Sequence, residues 1–339
     1  MNVLYVTSPD AYLAKDGENI LVLVGEETKL RIPVHNLEGI VCFGYTGASP
    51  AVMHLCVERN VGLSFHSESG RFLARVTGKV SGNVLLRRKQ YRIADSQEES
   101  LQLAKGFIFG KIFNCRCVLQ RFLRDHGDKG TFQDGQDNVK FLSLQLQKVI
   151  NCQDADTLRG IEGESARSYY GVIDNLILEE KEIFRFTGRS RRPPLDPTNA
   201  ILSFLYTLLT HDCSSALETV GLDPQVGFLH KERPGRPSLA LDLMEELRPY
   251  LVDRLTLSLI NNRQVDAKGF ITKESGGVIM NEEMRKMIIA SWQKRKQEEI
   301  MHPFLQEKIA IGLIPYAQAM LLARHLRGDL DAYPPFLMK

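Results

Sequence analysis

Three segments of the chain carry carboxylates and a histidine in patterns that suit the binding of a divalent metal ion. In the first, residues 159–170, Glu162 and Glu164 stand among glycines at the predicted start of a helix. Glycine lets a ligand or a second backbone approach closely, so either carboxylate is a candidate metal ligand. A carboxylate here also favours the positive end of a helix dipole, and for this segment taken alone that structural role is the better interpretation.

The second segment, residues 221–230, ends on His230 and is followed by a basic stretch that prolines interrupt. A neutral imidazole is a common metal ligand, although most single histidines are structural. The position of His230 just before the next predicted helix is the local indication of a functional role.

The third segment is the predicted helix over residues 237–259. Asp242 and Glu245 are three residues apart and therefore share one face of this helix. Many of their neighbours are leucines, and a carboxylate buried among leucines is costly unless it is paired or bound to a metal. A salt bridge to Arg248 is the alternative to metal binding.

Together the segments supply two or three carboxylates and one imidazole, which can hold one divalent cation and leave positions for water and phosphate. Such an ion polarises a phosphodiester oxygen and lowers the pKa of the attacking hydroxyl. Oxygen ligands favour Mg²⁺ or Mn²⁺, and the histidine slightly favours Mn²⁺. Arg189, Arg191 and Arg192 are candidates for contacts with DNA phosphates, or else for pairing with carboxylates inside the helical region.

The composition limits how such a site could meet nucleic acid. The 43 lysines and arginines nearly balance the 41 aspartates and glutamates, and the formal net charge is only +2. Any surface for DNA must therefore be a local basic patch.

No apolar run approaches the length of a transmembrane helix, and the first residues lack a secretory pattern, so we expect a cytoplasmic protein with no membrane partner. The six cysteines form no CxxC pair, which favours free, buried thiols.

The hydrophobic periodicity changes along the chain. Up to roughly residue 90, short apolar or alternating runs predict strands, and Ser49 followed by Pro50 predicts the start of a helix. From Ser96, which has capping-box spacing with Glu99, helical periodicity dominates. The predicted elements are strands over residues 4–7, 20–24, 29–34, 39–43, 61–65 and 71–76, and helices over residues 51–59, 100–124, 164–179, 197–209, 237–259, 281–301 and 303–326.

This change of period predicts an α+β protein with two domains. The N-terminal β-rich domain would comprise residues 1–95, and the C-terminal α-helical domain residues 96–339. Residues 125–136, rich in glycine and aspartate, are predicted to be a loop, and residues 265–280 a small hairpin inside the helical domain.

Over essentially its full length the chain resembles the CRISPR-associated spacer integrase, the first Cas protein of the adaptation module. Four motifs carry the resemblance, in the family's order. They are Gly160-Ile161-Glu162-Gly163 with Ala166, Arg167 and Tyr169; Arg191-Arg192-Pro193-Pro194 with Asp196 and Asn199; Gly221-Leu222-Asp223-Pro224 with Phe228, Leu229 and His230; and the acidic helix from Ser238 to Glu245. Residues 31–37 and 42–44 resemble the I-C subtype.

The resemblance implies an N-terminal β-sandwich-like domain that forms a homodimer, followed by an all-α catalytic domain. It also implies a larger integration complex with the small ferredoxin-like second Cas protein, acting on double-stranded DNA in a prokaryotic cell. The implied activity is that of an endonuclease and integrase that depends on Mg²⁺ or Mn²⁺. It would insert short duplexes as new spacers into a CRISPR array, by attack of a 3′-hydroxyl on phosphodiesters of the repeat.

The resemblance also selects among the candidate ligands. It implies that the catalytic metal ligands are Glu162, His230 and Glu245. Glu162 stands five residues before Arg167, as the family's glutamate does, which favours it over Glu164. Glu245 completes the Asp-Leu-Met-Glu pattern, which favours it over Glu246.

Asp242 matches a further acidic position of the family and is implied to support the ligands, directly behind them or through water. Two other functions fit the same residues. A metal-dependent DNA nuclease would share the ligands but join no strands. A non-catalytic DNA-binding scaffold would keep every measured activity after Glu162→Ala.

Overall fold

The computed structural model describes residues 3–8, 10–68, 72–78, 84–126 and 135–338. The chain divides into two compact units: Met1–Ser81 with Arg285–Glu298, and Gly82–Met284 with Glu299–Lys339. The predicted division at residue 95 into a dimerisation domain and a catalytic domain stays a prediction. The structure counts the described residues 84–95 with the second unit, and most of one C-terminal helix with the first.

The first unit is rich in strands, which form two four-stranded sheets. The strands are β1 Val3–Val6, β2 Ala11–Asp16, β3 Asn19–Val24, β4 Glu27–Pro33, β5 Gly39–Phe43, β6 Gly47–Ala48, β7 Gly62–His66 and β8 Phe72–Val76. One sheet has the order β1-β5-β7-β8, in which β5 pairs in parallel with both neighbours and β8 is antiparallel. The other sheet has the order β4-β3-β2-β6.

Both sheets share one hydrophobic core with helix α1, Pro50–Glu58. Fully buried members of this core are Leu13, Ile20, Ile40 and Leu55. The helix begins where it was predicted to begin, because the Ser49 side chain accepts a hydrogen bond from the Val52 amide and Pro50 occupies the first turn.

All six strands predicted for this unit are present, but two further strands were not predicted. β2 alternates clearly only at Ala11 and Leu13, and it ends in the charged residues Lys15 and Asp16. Its partner β6 has two residues, too few for any periodicity. Both strands are positioned by pairing rather than by a local pattern.

The second unit is mostly helical. Its helices are α2 Val84–Asp95, α3 Gln97–His126, α4 Gly135–Asn151, α5 Ala155–Gly171, α6 Ile173–Leu176, α7 Lys181–Phe184, α8 Pro197–Thr219, α9 Ser238–Arg248, α10 Arg254–Asn261 and α12 Ile314–Arg327, and α11 Glu282–Gln297 begins in it. The chain therefore has the predicted α+β fold, with a strand-rich N-terminal region and a helical C-terminal region.

Glu162 lies inside helix α5 and not at a helix start. The predicted helix over residues 164–179 was wrong at both ends, since α5 begins and ends earlier. Asp154 caps its first turn by accepting a hydrogen bond from a backbone amide at 2.8 Å. Gly160 and Gly163 are exposed and remain helical, at a cost of about 1 kcal/mol each relative to alanine. The helix therefore runs through both glycines, at which it was predicted to begin.

The predicted helix over residues 237–259 is present but contains a wider turn. α9 and α10 are joined by a π-helical turn, Pro249–Asp253. Proline has no amide hydrogen to donate, and its ring clashes with the carbonyl four residues earlier, here that of Glu245. The wider turn relieves this clash directly after the acidic motif, and such turns are frequent at functional sites.

The last two predicted helices were too long. α11 ends before the strand β11, Glu299–Met301, which pairs with β12, Lys308–Ala310, so α12 starts only at Ile314. The hairpin predicted over residues 265–280 is confirmed: β9, Phe270–Thr272, pairs with β10, Val278–Met280. Of the loop predicted over residues 125–136, residues 127–134 lie outside the described residues.

All six cysteines are free thiols, and five of them are buried. Burial raises the pKa of Cys42 to about 12 and that of Cys56 to about 11, which makes both thiols unreactive. Within the part of the chain that the structure describes, no helix combines the length and apolar character needed to cross a membrane.

Candidate functional site

The three segments singled out in the sequence meet in the helical unit. Glu162 comes from α5, His230 from the loop before α9, and Glu245 from α9. The ammonium of Lys111, on α3, joins two of them: it hydrogen-bonds Glu162 Oε1 and lies 2.8 Å from Glu245 Oε2. The imidazole Nε2 of His230 is 3.8 Å from Glu245 Oε1. The predicted ligands are therefore close neighbours.

Asp242 determines how the His230 ring is oriented. Its Oδ1 is 2.6 Å from His230 Nδ1, and the carboxyl group also accepts the backbone amides of Phe228, Leu229 and His230. A carboxylate that accepts these bonds requires a proton on Nδ1. In the neutral ring Nε2 then carries the lone pair, and it faces Glu245, the arrangement that is common behind metal-bound histidines.

A glycine permits this close approach of loop and helix. A Cβ atom at Gly227 would lie 2.8 Å from Asp242 Oδ2 and equally close to the backbone of Ser238. No real Cβ contact is that short, so a side chain at this position would push the loop away from α9 and with it the His230 amide. The glycine in the motif thus has a steric role.

Glu245 is a buried carboxylate between two cations. Its side chain is 3% exposed, Arg248 Nη1 lies 2.9 Å from its Oε1, and Lys111 lies beside its Oε2. Burial by itself would raise the pKa of Glu245, but Arg248 and Lys111 outweigh it and lower the pKa to about 2. Oε2 has the ammonium as an ion-pair partner but makes no hydrogen bond of good geometry. The charged carboxylate thus has one cation beside each of its oxygens.

The donor groups suit a hard divalent cation, although they are not gathered around one point. Among the described residues, no three histidine, cysteine, aspartate or glutamate side chains are grouped as a metal would require. The Lys111 ammonium instead contacts both carboxylates. Two carboxylates and an unprotonated imidazole nitrogen are ligands that Mg²⁺ and Mn²⁺ accept. Glu162 and His230 are 29% and 21% exposed, so solvent reaches this side of the site.

The two glutamates that the resemblance disfavoured lie elsewhere. Glu164 is exposed and accepts a hydrogen bond from Gln145 on α4. Glu246 is buried and accepts bonds from Tyr333, Gln318 and the Phe336 amide. Burial raises the pKa of Glu246 to about 7. Among the described residues, the hydrogen-bond partners of both carboxylates lie outside the cluster of Lys111, Glu162 and Glu245, which indicates structural roles.

The three arginines predicted to contact phosphates differ in their surroundings. Arg189 donates to Asn199 Oδ1 at 2.6 Å and to Ser203 Oγ at 3.0 Å, and its guanidinium lies 5.2 Å from the centre of the Tyr206 ring. Its partners are thus internal, though they are not the carboxylates that the alternative proposed. Arg191 and Arg192 are exposed.

Sequence reasoning missed Lys111 and the buried Asp253. Lys111 is the single charged residue between Lys105 and Arg116, within an apolar part of α3, and a lysine there was a signal that it has a buried partner. Asp253 ends the π-helical turn and accepts hydrogen bonds from the hydroxyls of Tyr169 and Tyr206. Its position had no local signal, because both partners come from distant segments.

Comparison with known proteins identifies relatives over the whole chain. Residues 4–294 match the family model of the CRISPR associated protein Cas1. A Rhodospirillum rubrum protein named CRISPR-associated endonuclease Cas1 2 is 52% identical over 343 residues, covering 100% of this chain and 99% of that protein. A Chlorobaculum tepidum protein named CRISPR-associated endonuclease Cas1 1 is 50% identical over 339 residues, with the same coverage.

Solved structures share the fold. A Cas1 protein from Thermotoga maritima has a TM-score of 0.82 at 25% identity and covers 97% of each chain. A casposase bound to integration product has a TM-score of 0.85 at 22% identity, covering 100% of this chain and 95% of that one. A chain of a Cas6-RT-Cas1–Cas2 complex has a TM-score of 0.84 at 22% identity, covering 100% of this chain and 36% of that one.

Proposed function

The chain belongs to the Cas1 family of CRISPR-associated endonucleases, and from this premise we propose that it is a metal-dependent DNA endonuclease and integrase. It would insert short duplex DNA, as new spacers, into a CRISPR array. The observation that carries the proposal is the orientation of His230: Asp242 holds Nδ1 at 2.6 Å, so that Nε2 faces Glu245. In a metal site, this hydrogen bond would fix the ring so that its second nitrogen points at the ion.

In this proposal Glu162, His230 and Glu245 hold Mg²⁺ or Mn²⁺. A bound ion would polarise a phosphodiester oxygen and lower the pKa of the attacking hydroxyl. The chain's own residues prepare the site beforehand. Asp242 keeps the proton on Nδ1, and Arg248 holds one oxygen of Glu245 at 2.9 Å. Both contacts restrict side chains that would otherwise rotate.

The proposed reaction is a transfer between phosphodiesters. The 3′-hydroxyl of the incoming duplex attacks a phosphodiester of the repeat, one P–O bond forms as another breaks, and the leaving 3′-hydroxyl takes up a proton. Because the bond made and the bond broken are of one kind, the transfer itself needs no ATP. Exposed Arg191 and Arg192 would contact DNA phosphates beside the site. Water in place of the hydroxyl would give nicking.

The proposed partners are double-stranded DNA, a second copy of the chain and the small ferredoxin-like second Cas protein. The N-terminal unit, in which two sheets share one core, would be the sandwich-like dimerisation domain. A fold shared with a chain of a Cas6-RT-Cas1–Cas2 complex is consistent with the second Cas protein as a partner. We further propose subtype I-C and a cytoplasmic, prokaryotic setting, where a CRISPR array would be the target.

A strand-joining assay tests the function. The protein and its small partner are incubated with a short duplex bearing 3′-hydroxyl ends and a supercoiled plasmid that carries the repeat, in Mg²⁺, Mn²⁺ or EDTA. Glu162→Ala is compared with Glu164→Ala, its matched neighbour on α5. Joined product that requires metal and Glu162, but not Glu164, supports the proposal. Metal-dependent nicking without joining would establish the plain nuclease, and indifference to metal and to Glu162 would establish the scaffold.

A further inference from the structure

Lys111 is a lysine on α3 that is 7% exposed and contacts carboxylates from two other helices, Glu162 on α5 and Glu245 on α9. We propose that Lys111 is a built-in counter-ion of the metal site, which neutralises the two carboxylates when no ion is bound and competes with the ion for them. This inference rests on the proposed function, because it takes these carboxylates as metal ligands. It makes Lys111 a positioning residue that sets the affinity for metal.

The ammonium of Lys111 lies within contact distance of both carboxylates, Glu162 and Glu245. It hydrogen-bonds Glu162 Oε1 and lies 2.8 Å from Glu245 Oε2, while Arg248 takes the opposite oxygen of Glu245, Oε1. Each oxygen of Glu245 therefore has one cation beside it, Arg248 at Oε1 and Lys111 at Oε2. A divalent ion that bound Glu162 through Oε1 and Glu245 through Oε2 would need the two oxygens that Lys111 contacts.

Charge balance supports competition rather than coexistence. Lys111 and Arg248 together balance the charges of Glu162 and Glu245, which leaves Asp242, beside a neutral His230, as the carboxylate among the described residues of the site with no cation of its own. A divalent ion added to this set would face two cations in a largely buried place, where the repulsion is only partly screened. Releasing Glu162 and Glu245 from Lys111 restores one net negative charge for the ion, because Arg248 stays paired with Glu245. A lysine suits this exchange, because it is a point charge on a flexible stem.

The same residue explains how the site stays folded without metal. A buried carboxylate that loses its partner destabilises a protein strongly. With Lys111 present, each oxygen of Glu245 lies beside a cation. The two cations are Arg248 and Lys111 without metal, and Arg248 and the metal ion once the metal has displaced Lys111.

The alternative is that Lys111 only ties α3, α5 and α9 together. In that case the removal of Lys111 would weaken the site and reduce its affinity for metal, whereas the proposal expects that affinity to rise.

The test uses the full chain and Mn²⁺ alone as the probe. Lys111→Met removes the charge at similar length, and Lys105→Met, on the exposed side of the same helix, is the matched control. Mn²⁺ affinity is measured by isothermal titration calorimetry, and Tm is measured in EDTA and in saturating Mn²⁺. We expect Lys111→Met to bind Mn²⁺ about tenfold more tightly or better, the usual size of one close charge interaction. Its Tm should fall in EDTA and recover in Mn²⁺, while Lys105→Met matches the wild type.

An unchanged or weaker Mn²⁺ affinity in Lys111→Met overturns the inference. Lys111→Gln separates charge from hydrogen bonding: it should behave as Lys111→Met does, and wild-type behaviour would overturn the role of charge. If Lys111→Met folds only in Mn²⁺, this metal-dependent folding supports the inference, and the Mn²⁺ affinity is then measured on Lys111→Gln. Glu162→Gln distinguishes the two proposals. If Glu162→Gln weakens Mn²⁺ binding but Lys111→Met binds Mn²⁺ no more tightly than the wild type, only the inference about Lys111 fails. If Glu162→Gln leaves Mn²⁺ affinity unchanged, the proposed function fails as well.

Discussion

At the scale of single residues, the orientation of His230 depends on the buried Asp242. We expect Asp242→Asn to lower metal-dependent nicking or joining by about 10–100-fold, the usual effect of losing a carboxylate behind a metal-binding histidine. Asparagine is uncharged and presents an amide group to the backbone amides of the loop, so the ring loses its fixed proton position.

The measurement for Asp242→Asn is the initial rate in Mn²⁺, with Mn²⁺ affinity from calorimetry. Asp156→Asn is the control, since this aspartate is 90% exposed on α5. A rate within twofold of the wild type would mean that the hydrogen bond to Nδ1 is dispensable.

The buried Asp253 gives a pH dependence of stability. Burial raises its pKa from 3.8 to about 6, which favours the protonated form in the folded state. Its contribution to stability is therefore complete below about pH 4 and is lost as the pH rises through about 6. Relative to Asp253→Asn, the free energy of unfolding of the wild type should fall by about 3 kcal/mol over this window.

Urea denaturation of the wild type and of Asp253→Asn at several pH values from 4 to 8 measures this difference directly. Because all other titrating groups are common to both proteins, only the difference between the two curves is informative. Parallel curves across this range would show that Asp253 keeps the same protonation state in the folded and unfolded chains.

At the scale of elements, the site depends on the close approach of α3 and α9. Gly110 precedes Lys111, and a Cβ atom there would lie 2.8 Å from the Cβ of Glu246 on α9. Gly160 on α5 has no atom within 4 Å of such a Cβ. We expect Gly110→Ala to cost about 1–3 kcal/mol through overpacking, and Gly160→Ala to stabilise by about 0.5–1 kcal/mol through the unfolded state.

The two glycine variants are controls for each other, because both replace a helical glycine by alanine. Urea midpoints at constant m-value should therefore shift in opposite directions. A stability of Gly110→Ala equal to that of the wild type would mean that α3 and α9 can separate without loss, and the contact of Lys111 with Glu245 would then be loose.

At the scale of the whole molecule, residues far apart in sequence hold the C-terminal segment in the helical unit. Asn114 donates to Glu246 O and Phe336 O, at 2.7 and 2.8 Å, and accepts from the Met338 amide at 2.8 Å. We expect Asn114→Ala to cost about 2–3 kcal/mol, because it leaves buried backbone groups without partners. Amide exchange of Phe336 and Met338 should accelerate.

Hydrogen exchange and urea denaturation test the role of Asn114, with Asn262→Ala, at an exposed asparagine directly after α10, as the control. Unchanged exchange at Met338 together with lower stability would place the loss elsewhere in α3, and the segment would then be held by its apolar contacts alone.

The overall charge makes a prediction about DNA binding. With a net charge of only +2, affinity for duplex DNA must come from local cations such as Arg191 and Arg192. Replacing both by alanine should weaken binding to all sequences and reduce the slope of log affinity against log salt by about 2. Arg263→Ala, an exposed arginine paired with Glu179, is the control. An unchanged slope would remove these arginines from the interface.

The sequence by itself determined the α+β division, six of the eight strands described in the first unit, the residues Glu162, His230, Asp242 and Glu245 as a group, and the family. These follow from periodicity and from motifs whose members are close in sequence, which are local properties. The sequence located helix boundaries less well near glycine and proline. The exposed glycines of α5 remain helical, and Pro249 widens a helix without ending it.

Only the tertiary structure decided which groups meet. Lys111 is separated from Glu162 and Glu245 by long stretches of chain, and no spacing rule relates residues on α3, α5 and α9. The internal partners of Arg189 likewise became visible only in the folded chain. The physical reason is that packing of apolar helix faces sets the distances between elements, and the charges carried by those elements pair according to where that packing places them.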